Sequence, residues 1–191
     1  MTNTLAILKA HPLVAILRGV RPMEVLDVAQ VLIACGFRVI EVPLNSPQPL
    51  ESMSTLAASV GPGIVVGAGT VLDIGQVDAC AKAGASLILS PNMHTGVVRH
   101  TVARGLVSLP GVATASEGFA GSASRGACAQ GVSGRCVGSC NPEGLARSVP
   151  PGRRFFWRRR YRGRQPAVVQ EGRCVWRWLG QFPVCAGRGA V

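Results

Sequence analysis

One unit recurs along the first 119 residues: a short β-branched apolar run, a polar or Gly/Pro turn, a stretch of helical period, then glycine. The runs are Val14–Leu17, Arg38–Leu44, Ile64–Gly67, Leu87–Leu89 and Leu106–Leu109, starting roughly 20–26 residues apart, the length of a β/α unit. Between the first two, Val25, Val28, Ala29, Leu32 and Ile33 keep the i, i+3, i+4, i+7, i+8 spacing that lays one apolar stripe along a helix. Pro22 suits the start of that helix and Gly36 its end, and Gly61, Gly84 and Gly105 stand at the equivalent points after the next three. The runs are apolar at successive positions, which predicts a parallel α/β sheet covered on both faces. Five such units in succession leave two architectures, a barrel of the triosephosphate-isomerase type and a doubly wound sheet.

Polar residues that interrupt the runs bear on that choice. Glu41 lies inside Val39-Ile40-Glu41-Val42-Pro43-Leu44 and shares a face with Val39, so its carboxylate points either into a barrel or under a helix layer. The second placement is costly for an unpaired charge. Arg18 directly follows Val14–Leu17, Thr70 follows Gly67-Ala68-Gly69, and Pro91-Asn92 follow Leu87-Ile88-Leu89-Ser90. Polar groups at the C-terminal ends of four successive strands form the pattern of a barrel mouth, where sites of this architecture lie. The alternative is an Arg18–Glu41 salt bridge at the sheet rim, since ion-pair networks imitate sites.

The motifs Ile16-Leu17-Arg18-Gly19, Glu41-Val42-Pro43-Leu44-Asn45-Ser46-Pro47, Gly67-Ala68-Gly69-Thr70-Val71-Leu72, Ser90-Pro91-Asn92-Met93-His94 and Leu109-Pro110-Gly111-Val112-Ala113-Thr114 closely resemble those of the 2-keto-3-deoxy-6-phosphogluconate/phosphogalactonate aldolases. The resemblance covers residues 5–119, and its Asn45-Ser46-Pro47 version looks like the phosphogalactonate branch. It implies a trimeric (β/α)8 TIM barrel. It also implies class I, Schiff-base cleavage of a phosphorylated 2-keto-3-deoxy sugar acid to pyruvate and glyceraldehyde 3-phosphate, with no metal or other cofactor. The residue types suit that chemistry. A carboxylate tuned in a barrel mouth can take a hydroxyl proton and return a proton to an enamine carbon, which makes Glu41 the candidate acid/base. Arg18 and Thr70 suit the substrate carboxylate, by paired guanidinium bonds and one hydroxyl bond, and Pro91 would shape the wall beside the pyruvate part. His94 and His100 read as helix-start or surface residues, because no second ligand is spaced for a metal.

Schiff-base chemistry needs an amine that can become an iminium, and the chain has two lysines, Lys9 and Lys82. The first precedes the first strand and the second lies on a helix outside the barrel, so neither is expected at the mouth. In the family the nucleophile belongs to an Ala-Leu-Lys-(Val/Ile)-Phe-Pro strand about 13 residues beyond the glutamate equivalent to Glu117, a count that lands on Gln130. The genetic code offers a reason. Degenerate codons for Ala127 to Gly134, read one base later, permit Ala-Leu-Lys-Val-Phe-Pro. The same shift over Arg153 to Tyr161 permits Ala-Ala-Phe-Phe-Gly-Val-Gly-Gly-Ile, and over Trp176 to Gln181 Gly-Val-Gly-Leu-Gly-Ser. These are the lysine strand and two phosphate-binding glycine motifs of the family, in order, and they place a one-base frameshift near Ala120 to Ser122.

Composition divides at the same point. Residues 1–119 hold seven Lys/Arg and seven Asp/Glu, whereas residues 120–191 hold thirteen Arg, no Lys and two acids, the whole net charge of +11. The division is therefore an aldolase-like part, 1–119, and a basic out-of-frame tail, 120–191, expected to be irregular with few strands. Arg153 to Arg164, interleaved with Phe155, Phe156, Trp157 and Tyr161, carries the competing reading, an interaction protein that binds nucleic acid without sequence preference. Cys136, Cys140, Cys174 and Cys185 are spaced too irregularly for zinc, and the tail has no histidine. An odd count of seven cysteines, only Cys35 and Cys80 of them in the orderly part, argues against a disulfide scaffold. With no run of 18 apolar residues and no leader pattern, the expectation is a cytoplasmic protein without a membrane partner.

Overall fold

The computed structural model describes residues 2–122 and four short strands at 129–131, 155–157, 167–170 and 173–176. Helix α1 (Thr2–Ala10) leads into five β/α units. These are β1 (Val14–Ile16) with α2 (Val25–Ala34), β2 (Val39–Pro43) with α3 (Pro49–Ser59), β3 (Val65–Gly69) with α4 (Ile74–Lys82), β4 (Leu87–Ser90) with α5 (Thr95–Ala103), and β5 (Val107–Val112) with α6 (Ala115–Ser122). The strands are parallel and lie side by side in chain order, with Val14 opposite Val39, Val39 opposite Val65, Gly67 opposite Leu87 and Leu87 opposite Val107.

Side-chain alternation splits the strand residues between two cores. Ile40, Val42, Val66, Ala68 and Ile88 point outward and bury against Val25 and Ala29 of α2, Met53 and Leu56 of α3, Val77 and Cys80 of α4 and Val97 of α5. Val39, Val65, Leu87, Leu89, Val107 and Leu109 point the other way and meet one another, with Leu8 of α1 beneath them. Full burial of each such side chain contributes about 1.5–3 kcal/mol. The helices α2–α5 thus cover one face only, and the other face is filled by the strands themselves. A doubly wound sheet would reverse its strand order and carry helices on both faces; sequential order with one helix layer is the barrel-type arrangement.

Three helices stop as their glycines predict. Gly36, Gly84 and Gly105 have φ of +93°, +89° and +77°, and the amide after each reaches back to the helix, as Phe37 N does to Leu32 O at 3.0 Å. Gly61 does not: α3 ends on Val60 in extended conformation, and Gly61 has no positive φ. Pro22 lies in a turn before α2, whose capping position is Glu24. Helix α1 is an addition to the pattern read from sequence.

Four short strands are described in the tail, within the few expected there. Strands β6 (Ala129–Gly131) and β7 (Phe155–Trp157) extend the parallel order beyond β5, and β8 (Ala167–Gln170) and β9 (Arg173–Trp176) continue it antiparallel. Phe155, Phe156, Val168, Val169 and Val175 are strand formers by shape, sufficient for runs of this length. The remainder of 123–191 lies outside the described residues, as do the other expectations that fall on it.

Candidate active site

The C-terminal edge of β1–β4 gathers the four residues expected there. Glu41, the third residue of β2, is opposite Ile16 and Gly67 and is 3% exposed. Its neighbour Val39 belongs to the inner core and its neighbours Ile40 and Val42 to the outer one, so alternation aims the Glu41 carboxylate inward. The ambiguity left by the sequence is resolved in favour of the barrel interior.

Space for that carboxylate comes from β3. A Cβ on Gly69 would stand 2.6 Å from Glu41 Cδ and 3.0 Å from Cγ, so a side chain there would displace the Glu41 carboxylate from this position. Gly67, also on the inner face, could carry a Cβ only by pressing on Leu89 Cδ1 at 3.2 Å. Gly69 therefore clears a place that the glutamate fills. The next residue, Thr70, has φ +61°. A β-branched residue rarely adopts this left-handed conformation, which costs on the order of 1–3 kcal/mol and persists where flanking structure dictates it. Here the flanks are pinned by Leu44 N to Gly69 O at 2.8 Å and Val71 N to Leu89 O at 3.1 Å.

Arg18 is exposed, two residues beyond β1, in a loop tied to β2. Leu17 N donates to Glu41 O at 2.8 Å. The buried Ser46 hydroxyl accepts from Gly19 N at 3.0 Å and donates to Leu17 O at 3.3 Å. Pro91 is exposed directly after β4. Among the described residues the ion pairs are Arg21–Glu24 and those of Asp78 with His100 and Arg104; the Arg18–Glu41 salt bridge is not one of them.

The two histidines take the places expected of them. His94 Nδ1 accepts from Val97 N at 3.2 Å and caps α5, its ring lying over Gly96, where a Cβ would come within 3.0 Å of Cε1. His100 Nε2 meets Asp78 Oδ1 at 2.8 Å between α5 and α4, and Arg104 Nε meets the same oxygen at 2.9 Å. The His100 bond, aided by the Arg104 charge, holds the Asp78 carboxyl below its ordinary range. Cys80 is sealed in the outer core, and burial pushes its thiol up to about 12, an inert state at neutral pH. Among the described residues no group of three His, Cys, Asp or Glu is placed to hold a metal ion, and no helix is long and apolar enough to cross a membrane.

Both lysines are exposed, in the last turns of α1 and α4. Those helix ends lead into β1 and β4, so both amines lie at the N-terminal edge of the strands, opposite Glu41, Arg18 and Thr70. Gln130 lies in β6, directly opposite Gly111 of β5, the neighbouring place in the strand order to which the count from Glu117 leads.

What the sequence reading passed over are Ser46 and the reason for Gly69. The first makes its bonds across 27 and 29 residues, and the second is defined by a side chain on another strand, so neither leaves a local signal.

Comparison with known proteins gives the family. The family model for KDPG and KHG aldolases matches residues 5–124. A probable 2-dehydro-3-deoxy-6-phosphogalactonate aldolase of Rhizobium meliloti is 41% identical over 144 residues, covering 74% of this chain and 66% of that protein. The 2-dehydro-3-deoxy-6-phosphogalactonate aldolase of Escherichia coli is 46% identical over 108 residues, 56% of this chain and 53% of the relative. The chain thus spans between about half and two thirds of these relatives. A solved structure described as native KDPGal superposes with a TM-score of 0.71 at 37% identity, covering 76% of this chain and 71% of the other. The 2-keto-3-deoxy-6-phosphogluconate aldolase of Zymomonas mobilis with 3-phosphoglycerate gives 0.72 at 28% identity, covering 85% and 77%. With the family model matching residues 5–124 and the sheet order in agreement, this chain belongs to the KDPG and KHG aldolase family.

Proposed function

We propose that the gene's chemistry is class I retro-aldol cleavage of 2-dehydro-3-deoxy-6-phosphogalactonate to pyruvate and glyceraldehyde 3-phosphate. We further propose that the chain as written has lost it. The observation that carries the first part is Glu41, buried on the inner face in a place cleared by Gly69, beside a mouth that presents Arg18 and Thr70. In the reaction a lysine amine condenses with the C2 ketone, and Glu41 takes the C4 hydroxyl proton as the C3–C4 bond breaks. Glu41 then returns a proton to C3 of the enamine, and water releases pyruvate and the free amine. Arg18 and Thr70 hold the substrate carboxylate, with Pro91 beside it. The phosphogalactonate branch is supported by Asn45-Ser46-Pro47 and by identities of 41% and 46% to aldolases named for that substrate, against 39% and 30% for two named for phosphogluconate.

Loss of activity is supported by the placement of Lys9 and Lys82 at the far edge and by glutamine at position 130. Residues 1–119 are the inherited aldolase part, and 120–191 the out-of-frame part. Borohydride trapping with pyruvate tests both statements. The chain as written is expected to give no covalent adduct, and the gene shifted by one base near codon 120 to give one, on a lysine near position 130. An adduct on Lys9 or Lys82 with turnover overturns the second statement, and a frame-restored protein that folds without forming an adduct overturns the first.

A further inference from the structure

We infer that Ser46 is a positioning residue for the carboxylate-binding Arg18, a role that rests on the reading of Arg18 given above. Ser46 is 7% exposed and lies in the turn that follows β2, closed by Ser46 N to Pro43 O at 3.0 Å. Its hydroxyl uses both of its capacities on the two residues that flank Arg18. It accepts from the Gly19 amide at 3.0 Å and donates to the Leu17 carbonyl at 3.3 Å. Gly19 has φ +81°, a conformation that glycine adopts without steric cost.

The bridge matters because of what lies at its two ends. Arg18 is exposed and leaves the sheet after β1, whereas the Ser46 turn grows out of β2, the strand that carries Glu41. Leu17 N to Glu41 O at 2.8 Å fixes the near side of the loop to β2, and Ser46 fixes the far side to the turn beyond it. The Arg18 backbone is thereby clamped from both sides by one strand and its turn. The separation between the carboxylate anchor and the acid/base is set by that clamp rather than by the arginine side chain. A guanidinium on a flexible stem gives paired bonds to a carboxylate only if its root is fixed.

The test measures pyruvate binding to the full chain by NMR titration, alongside the thermal transition of each variant. Ser46→Ala removes both bonds and is expected to weaken pyruvate about tenfold, the loss of one to two net hydrogen bonds' worth of positioning. Ser46→Thr keeps the hydroxyl and is expected to restore binding to within about twofold of the parent. A generally structural role would depress the transition without this rescue. Arg18→Ala is expected to abolish binding. If Arg18→Ala binds like the parent, or the parent does not bind pyruvate, the reading of Arg18 fails and the inference falls with it. If Arg18→Ala loses binding while Ser46→Ala keeps it, or Ser46→Thr is as weak as Ser46→Ala, the inference about Ser46 alone is overturned.

Discussion

Strands β1–β5 and β6–β9 share one hydrogen-bonded sheet, but they are built on different terms. Each of the first five is followed by a helix of eight residues or more, and from β2 to β4 successive residues supply an inner and an outer core. The last four are three or four residues long, and the parallel order turns antiparallel at β7–β8. Among the described residues no helix follows any of them. The difference teaches which pattern is demanding. A few aromatic or β-branched residues in a row are enough to pair as a strand, and chance supplies them. A β/α unit needs period two over the strand and period 3.6 over the helix, in phase with each other, and a reading frame displaced by one base preserves neither. If the tail is out of frame, as proposed, helix periodicity marks where the evolved sequence stops better than strand content does.

The largest effect that would sharpen this contrast lies in the frame-restored protein. If the first five units hold the acid/base and the displaced segment holds only the amine, Glu41→Gln should lower turnover by on the order of 10² or more while pyruvate still forms a borohydride-trapped adduct. Normal turnover in that variant would show that the carboxylate, however well placed on the inner face, has no part in the proton transfers.

A second, smaller effect concerns where the stability resides. Leu8 of α1 is 1% exposed beneath the inner core, and Val31 of α2 is 61% exposed. In urea unfolding of the full chain, Leu8→Ala is expected to cost about 2–5 kcal/mol. Val31→Ala should stay within about 0.5 kcal/mol of the parent. A Leu8 variant as stable as the Val31 variant would break the comparison, because it would move the cooperative core out of the first five units.

How much of this was legible in sequence follows from the range of each signal. The five units were legible because their periods are local, and so were the three glycine stops at Gly36, Gly84 and Gly105. Gly61 looked the same on paper, but the stop at α3 is made by an extended Val60, a choice between two capping geometries that a glycine alone does not specify. Glu41 was legible as a carboxylate sharing a face with Val39; which face became the interior depended on strand order, a property of the whole sheet. Arg18, Thr70 and Pro91 were found because each lies within two residues of a strand's C-terminal end. Ser46 and Gly69 act across strands, and α1 has no strand before it to set the phase, so these needed coordinates.

The smallest expected effect lies at the seam between the two regions, where α6 is the last described helix before the composition changes. Thr114 and Glu117 form a reciprocal cap there. Glu117 N donates to Thr114 Oγ1 at 3.2 Å, and Glu117 Oε2 accepts from Thr114 N at 3.0 Å and from Ala113 N at 2.7 Å. The Ala113 amide, and after it the Thr114 amide and hydroxyl, hold the Glu117 carboxyl below its ordinary range against the opposing push of burial. A folded-state pKa below the unfolded one, about 4.3 for glutamate, stabilises the fold above that unfolded value. The contribution is then lost as pH falls through the folded value. Glu117→Ala should therefore cost about 1 kcal/mol near neutral pH, the ordinary weight of a partly exposed cap. The gap between variant and parent in thermal midpoint should close as both are taken down in pH through the Glu117 titration. A gap that is the same at every pH would mean that the bonds at α6 depend on shape alone and not on the charge of Glu117. A gap several times larger would mean that α6 supports the strands on both of its sides, which would tie the two regions together more firmly than their patterns suggest.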